Sequence, residues 1–148
     1  HESALAEAGA LARHEDGRTR AKLLKLLRSR QPRGAAPLLV EVSREARFHG
    51  LALAERHAVL RTVAELEPAL GETVLIGMAA RHGVLLDEKM ETSRQLAVEI
   101  LGETGGSGAA REAIVACTRA WWWNSKPLRE TAIRALARFD GARQRGGA

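Results

Sequence analysis

At 148 residues with a formal net charge of +5, from 23 Lys+Arg against 18 Asp+Glu, the chain has room for one domain with a real core and little to spare. Ala (27) and Leu (20) supply about a third of it, whereas Val and Ile together give 12, Phe and Trp five, and Tyr none. That balance excludes a β-sandwich or barrel, whose faces need many more β-branched and aromatic side chains, and leaves an all-α protein. A single cysteine, Cys117, excludes an intrachain disulfide framework and any multi-Cys zinc site.

Apolar residues recur at helical spacing almost throughout and predict eight helices, over residues 3–14, 19–30, 35–47, 53–66, 69–82, 89–101, 109–122 and 127–139. The breaks are chemically sensible: Asp16-Gly17, Gln31-Pro32-Arg33-Gly34, Gly83 where a left-handed cap would sit, and Pro127 at a first helical position. The tail 140–148, DGARQRGGA, lacks apolar periodicity and is expected to be disordered. The longest apolar run, residues 74–80, falls far short of the roughly 20 residues that cross a bilayer. No charged-then-apolar leader opens the chain, and a start at His1 rather than Met is compatible with an excerpt of a longer protein. The expectation is a soluble cytoplasmic protein without a membrane partner.

The second helix of each predicted pair opens near a basic residue: Arg20-AKLLKLL, Arg56-HAVLRTV, Arg94-QLAVEIL and Arg129-ETAIRAL. A small or apolar residue follows three positions later (Leu23, Val59, Ala97, Ala132) and a larger one at seven (Leu27, Val63, Leu101, Leu136). The four arginines stand 36, 38 and 35 residues apart. Such a period describes two-helix repeats, over about 3–30, 35–66, 69–101 and 109–139, in one domain 1–139 whose units bury their apolar faces by stacking on one another.

On Ser93-Arg94-QLAVEILGETGGSGAA and Leu128-Arg129-ETAIRALARF the sequence resembles the HEAT-repeat family, in particular its bacterial HEAT-like members. Second helices there typically open with a (Val/Leu)-Arg pair and end in Leu-Gly; Leu128-Arg129 and Leu101-Gly102 fit, whereas Arg56 and Thr19-Arg20 match more loosely. The resemblance implies an α-solenoid of about four antiparallel two-helix repeats that serves as a binding scaffold.

Three features compete as sites. In a helix over 109–122, Trp121 is in phase with Ala110, Ile114 and Cys117 and expected to be buried; Trp122 lies on the flank and Trp123 among Glu112, Ala116 and Arg119. Either the indoles pack around the turn into the last helix, or Trp123, with Trp122, anchors a partner. Seven cations and no acid lie between Gly17 and Arg33, and Arg18, Lys22 and Lys25 at helical spacing form a candidate anion contact. Yet net charge runs +4, −4 and +5 over residues 1–48, 49–110 and 111–148, and a groove tracking a polyanion wants cations on every repeat. The Gly-rich segment 102–108 follows a helix and lacks the Gly-Lys-Ser/Thr ending of a phosphate loop, so it is expected to be a turn.

No His-Glu-x-x-His or paired-histidine spacing appears, which gives no catalytic, metal or cofactor expectation. The leading expectation is a non-catalytic protein–protein interaction scaffold. Its partner would meet the concave face or the Trp cluster through Trp122, Trp123, Arg119, Arg56, Arg61, Arg94, Arg129 and Arg134. The alternatives are a nucleic-acid-binding HEAT-like protein of the DNA-glycosylase kind and a structural spacer or dimerisation domain of a larger protein.

Overall fold

The apolar stripes fold as helices: in the computed structural model, which describes residues 17–81 and 87–146, 84 % of the described residues are helical and none is in a strand. The seven α-helices among them are α1 Gly17–Arg30, α2 Ala35–Arg44, α3 Leu53–Leu66, α4 Pro68–Ala80, α5 Glu88–Thr104, α6 Gly108–Thr118 and α7 Lys126–Gly146, with a 3₁₀ turn at Ala46–Gly50 between α2 and α3. The helix predicted for 3–14 and the cap predicted at Gly83 lie outside the described residues. No described helix is long and apolar enough to cross a membrane. The chain divides into two compact units, one ending at Gly71 and the other beginning at Glu72.

In the first unit Leu23, Leu24 and Leu27 of α1 close over Leu39, Val40 and Val42 of α2 and Val59, Leu60 and Val63 of α3, all buried. The turn between α1 and α2 uses left-handed backbone at Gln31 (φ 46°) and Gly34 (φ 83°), the second a conformation in which glycine meets no Cβ penalty. α2 stops at Arg44 rather than near 47 because Glu45 turns extended (ψ 143°) and feeds Phe48, fully buried, into the core from the 3₁₀ turn. Two ion pairs join α1 to α3: Arg20 to Glu55 at 2.7 Å and Arg28 to Glu65 at 2.7 Å. Beneath the first lies a cavity of about 160 Å³, lined chiefly by aliphatic side chains such as Leu24, Leu39, Val42 and Val59.

The second unit is organised around α5, which packs on both α6 and α7. Asp87 caps α5 by accepting the Met90 N–H at 2.8 Å, and Glu88 and Glu91 in the first turn complement the helix dipole. Ser107 caps α6 by accepting from Ala110 N–H and donates its own hydroxyl to Glu72; the Ser125 hydroxyl accepts from Leu128 N–H in the first turn of α7. Ala97, Val98, Ile100 and Leu101 of α5 meet Ile114 and Cys117 of α6 and Leu128, Ala132 and Phe139 of α7 in a core that is all but closed to water.

Gly102 lies inside α5, not in a turn, and the turn proper is residues 105–107. A Cβ at Gly102 would stand 2.8 Å from both Cα and Cβ of Ala135, so only glycine lets α5 and α7 approach this closely. The expected disordered tail is corrected as far as Gly146: α7 continues through it, with Phe139 buried and Asp140 paired to Arg111 of α6 at 2.9 Å.

Candidate functional site: a clamped tryptophan loop

α6 ends at Thr118, before the tryptophans, so the phase argument for residues 109–122 fails. The reason is a side chain further along the chain. The buried Asn124 donates from Nδ2 to the carbonyls of Ala116 and Arg119, both at 3.0 Å, and thereby satisfies acceptors that the end of a helix leaves open. The chain from Arg119 to Ser125 is therefore a loop, and the three indoles decorate it rather than a helix face.

Trp121, expected to be buried, is 41 % exposed, and Trp122 is 73 % exposed. Trp123 is half-buried between them, its ring 4.8 Å from that of Trp121 and 5.5 Å, edge-on, from that of Trp122. The Arg119 guanidinium covers the other indole partner at 5.5 Å from the Trp121 ring, within cation–π range. The loop thus presents an aromatic surface in which Trp122 projects furthest and Trp123 is the support.

What holds this surface is Arg94. Its side chain is buried, and its planar fork reaches three acceptors in two segments at once. Nε donates to Ala79 O at 2.7 Å near the C-terminus of α4, Nη1 to Trp123 O at 2.9 Å, and Nη2 to Asn124 Oδ1 at 2.8 Å. A guanidinium suits this position because its five donors lie in a fixed plane and its charge faces the negative end of a helix. Glu91, one turn earlier, sits 3.8 Å away and accepts the Ser125 hydroxyl at 2.8 Å. Cys117 lies against the same cluster, donating weakly to Ala79 O; burial pushes its thiol pKa up, and Arg94 opposes that shift in part.

The remaining expected site residues are dispersed. In the first unit Arg56 is buried with Nε on Leu51 O at 2.9 Å, and desolvation lowers its pKa. Like Arg94, it turns its guanidinium inward instead of offering it on a face. Arg61 is half-buried beside Glu65 at 3.6 Å. Arg18, Lys22 and Lys25 are exposed on α1. In the second unit Arg129 is half-buried, while Arg134 is exposed and lines, with Glu99, Thr131 and Arg138, a polar groove of about 200 Å³ between α5 and α7.

The sequence reading missed Asn124 and Ser125, and with them the clamp. The one available signal was the Asn-Ser pair just ahead of Lys126-Pro127, a turn-and-cap composition following an aromatic run. No group of three or more His, Cys, Asp and Glu residues placed to hold a metal ion occurs among the described residues. Comparison of the chain with protein-family models, with curated proteins and with solved structures finds no match.

Proposed function

We propose that the chain is a HEAT-like, non-catalytic interaction module that docks a protein partner on the Trp121–Trp122–Trp123 loop. The observation that carries this reading is the contrast between backbone and side chains. The loop backbone is tied to buried Arg94 and Asn124, while Trp122 stays 73 % exposed. A loop whose backbone is already ordered loses less entropy on binding, which favours its aromatic side chains as interface anchors. Arg119, stacked on Trp121, adds the second residue type enriched at such centres.

The repeat reading is supported by the ion pairs and hydrogen bonds that link residues one sequence period apart. They are Arg20–Glu55 in the first unit, and Glu72–Ser107, Glu91–Ser125 and Glu103–Arg138 in the second. Their separations are 35, 35, 34 and 35 residues, against the 35 to 38 between successive repeat arginines. Contacts at this spacing are of the kind that stacked two-helix repeats would make.

The test is affinity capture from the source cell with wild type and Trp122→Ala as baits, followed by titration of the purified captured protein. Trp122→Ala should leave the melting temperature within about 2 °C, because little of the indole is buried, and should weaken the partner by at least about 30-fold, corresponding to a hot-spot loss of roughly 2 kcal/mol. A partner held equally by both baits removes the Trp loop as the docking site.

A further inference from the structure

The seven cations from Gly17 to Arg33 are not equivalent once folded. At 100° per residue, Arg20 lies on the side of α1 that carries the buried Leu23, Leu24 and Leu27 and Arg28 on its flank, and they are taken up by Glu55 and Glu65 of α3. Lys22 and Lys25 project from the opposite side, and Arg30 and Arg33 stand exposed at the end of the helix and in the turn that follows. Two of the nine carboxylates of residues 49–110, Glu55 and Glu65, are thus the partners of Arg20 and Arg28. Among the described residues no carboxylate pairs with Lys22, Lys25, Arg30 or Arg33. Residues 17–33 carry seven Lys and Arg and no Asp or Glu.

We propose that the exposed cations of α1 and of the turn after it, Lys22, Lys25, Arg30 and Arg33, bind the phosphate backbone of DNA without reading its sequence. This surface is distinct from the Trp loop and does not depend on that loop's function. From Lys22 to Arg30 the helix rises about 12 Å, the length of three to four base-pair steps, so several cations reach successive phosphates together. The composition favours this partner over two others. An acidic protein surface would want an aromatic or broad apolar anchor, and the face offers Leu26 alone, 47 % exposed among the cations. A membrane-surface helix would need its apolar stripe free to enter lipid, and here that stripe forms the core of the first unit.

The experiment is a salt titration of binding to a fluorescent, random-sequence DNA duplex, using wild type, K22Q/K25Q and, as a control on the other unit, R145Q. Four phosphate contacts give a slope of log K on log salt of about −3.6, so wild type and R145Q should weaken about 150-fold between 50 and 200 mM salt. K22Q/K25Q keeps two contacts and should weaken only about 12-fold over the same range, with weaker binding at the low-salt end. Both substituted lysines are exposed, so helical content and melting temperature should match wild type, which makes the comparison one of charge. The proposal is overturned by no binding at 50 mM salt, or by an unchanged slope in K22Q/K25Q. It is equally overturned if polyglutamate or phosphatidylserine vesicles displace the duplex as effectively as unlabelled DNA, since the face would then belong to acidic proteins or to lipid.

Discussion

Removing the guanidinium at Arg94 is the sharpest perturbation of the second unit. In Arg94→Ala the acceptors Ala79 O, Trp123 O and Asn124 Oδ1 lose their donor together, and Glu91 loses the cation 3.8 Å away. A buried polar group left unsatisfied costs about 1–3 kcal/mol. Water can reach Trp123 O from the loop side but not the interior acceptors, so the total should be about 3–5 kcal/mol, in the range for breaking a buried charged network. Arg94→Lys retains the charge but not the planar fork, and one ammonium cannot bridge a helix end and two loop positions; about 2–3 kcal/mol should be lost.

The protein carries its own local reporter. All three tryptophans lie in the clamped loop, so indole fluorescence follows the loop while far-UV circular dichroism follows the helices. The tryptophans lie in the second unit while the helices of both units contribute to dichroism, so the reference is the separation of the two urea transitions in wild type. Arg94→Lys should shift the fluorescence transition to lower urea relative to the dichroism transition, because the loop is released before the helices. An Arg94→Ala protein that loses less than about 1 kcal/mol, with unchanged indole emission, would refute the clamp.

Two glycines separate packing from propensity. Gly102→Ala adds a methyl 2.8 Å from Ala135 and should lower stability by about 1–2 kcal/mol in denaturant titration, overpacking of about 1–3 kcal/mol exceeding the helix-propensity gain of up to about 1 kcal/mol. Gly77→Ala, in α4 with open space around the added methyl, should instead raise stability by about 0.5–1 kcal/mol. Cys117 is 1 % exposed with its thiol pKa raised by burial, so a thiol reagent at neutral pH should label it only as fast as the second unit opens; rapid labelling of the native protein would contradict the packing around Arg94. The hydrogen bond from Arg111 holds the Asp140 carboxyl below its ordinary range, so the folded pKa lies under the unfolded one. The stabilisation from that pair is present above the ordinary carboxylate pKa and disappears as pH falls through the depressed value. Asp140→Asn should therefore flatten the acid limb of the stability profile, by a small amount that added salt reduces further, because the pair is solvent-exposed.

Much of the helical pattern was legible because it rests on local rules: apolar spacing placed the helices, and Gln31-Pro32-Arg33-Gly34 marked a turn that does use left-handed backbone. The end of α6 was not legible. Nothing in Thr118-Arg119-Ala120-Trp121 breaks a helix by itself; Asn124 ends it from beyond the loop, and Asn124 is fixed by Arg94, 30 residues earlier. The same long-range cause explains why Trp121 is exposed when helical phase predicts burial. Asp140 was read as tail for the complementary reason, since the arginine that pairs with it lies on another helix, 29 residues away.

The repeat arginines show how far a sequence period constrains function. Arg20, Arg56 and Arg94, spaced by 36 and 38 residues, donate from Nε to different acceptors: a carboxylate of α3 for Arg20, a backbone carbonyl for Arg56 and Arg94. Arg56 and Arg94 are buried donors and Arg20 a half-buried one, and in each case the acceptor depends on what the neighbouring segment brings within reach. A buried arginine that ties α5 to α4 also holds the loop that carries the most exposed aromatic side chain described in the chain. Stability of the second unit and presentation of the aromatic surface are thereby joined through one residue, and a substitution at Arg94 should lower both together whereas one at Trp122 should alter only the second.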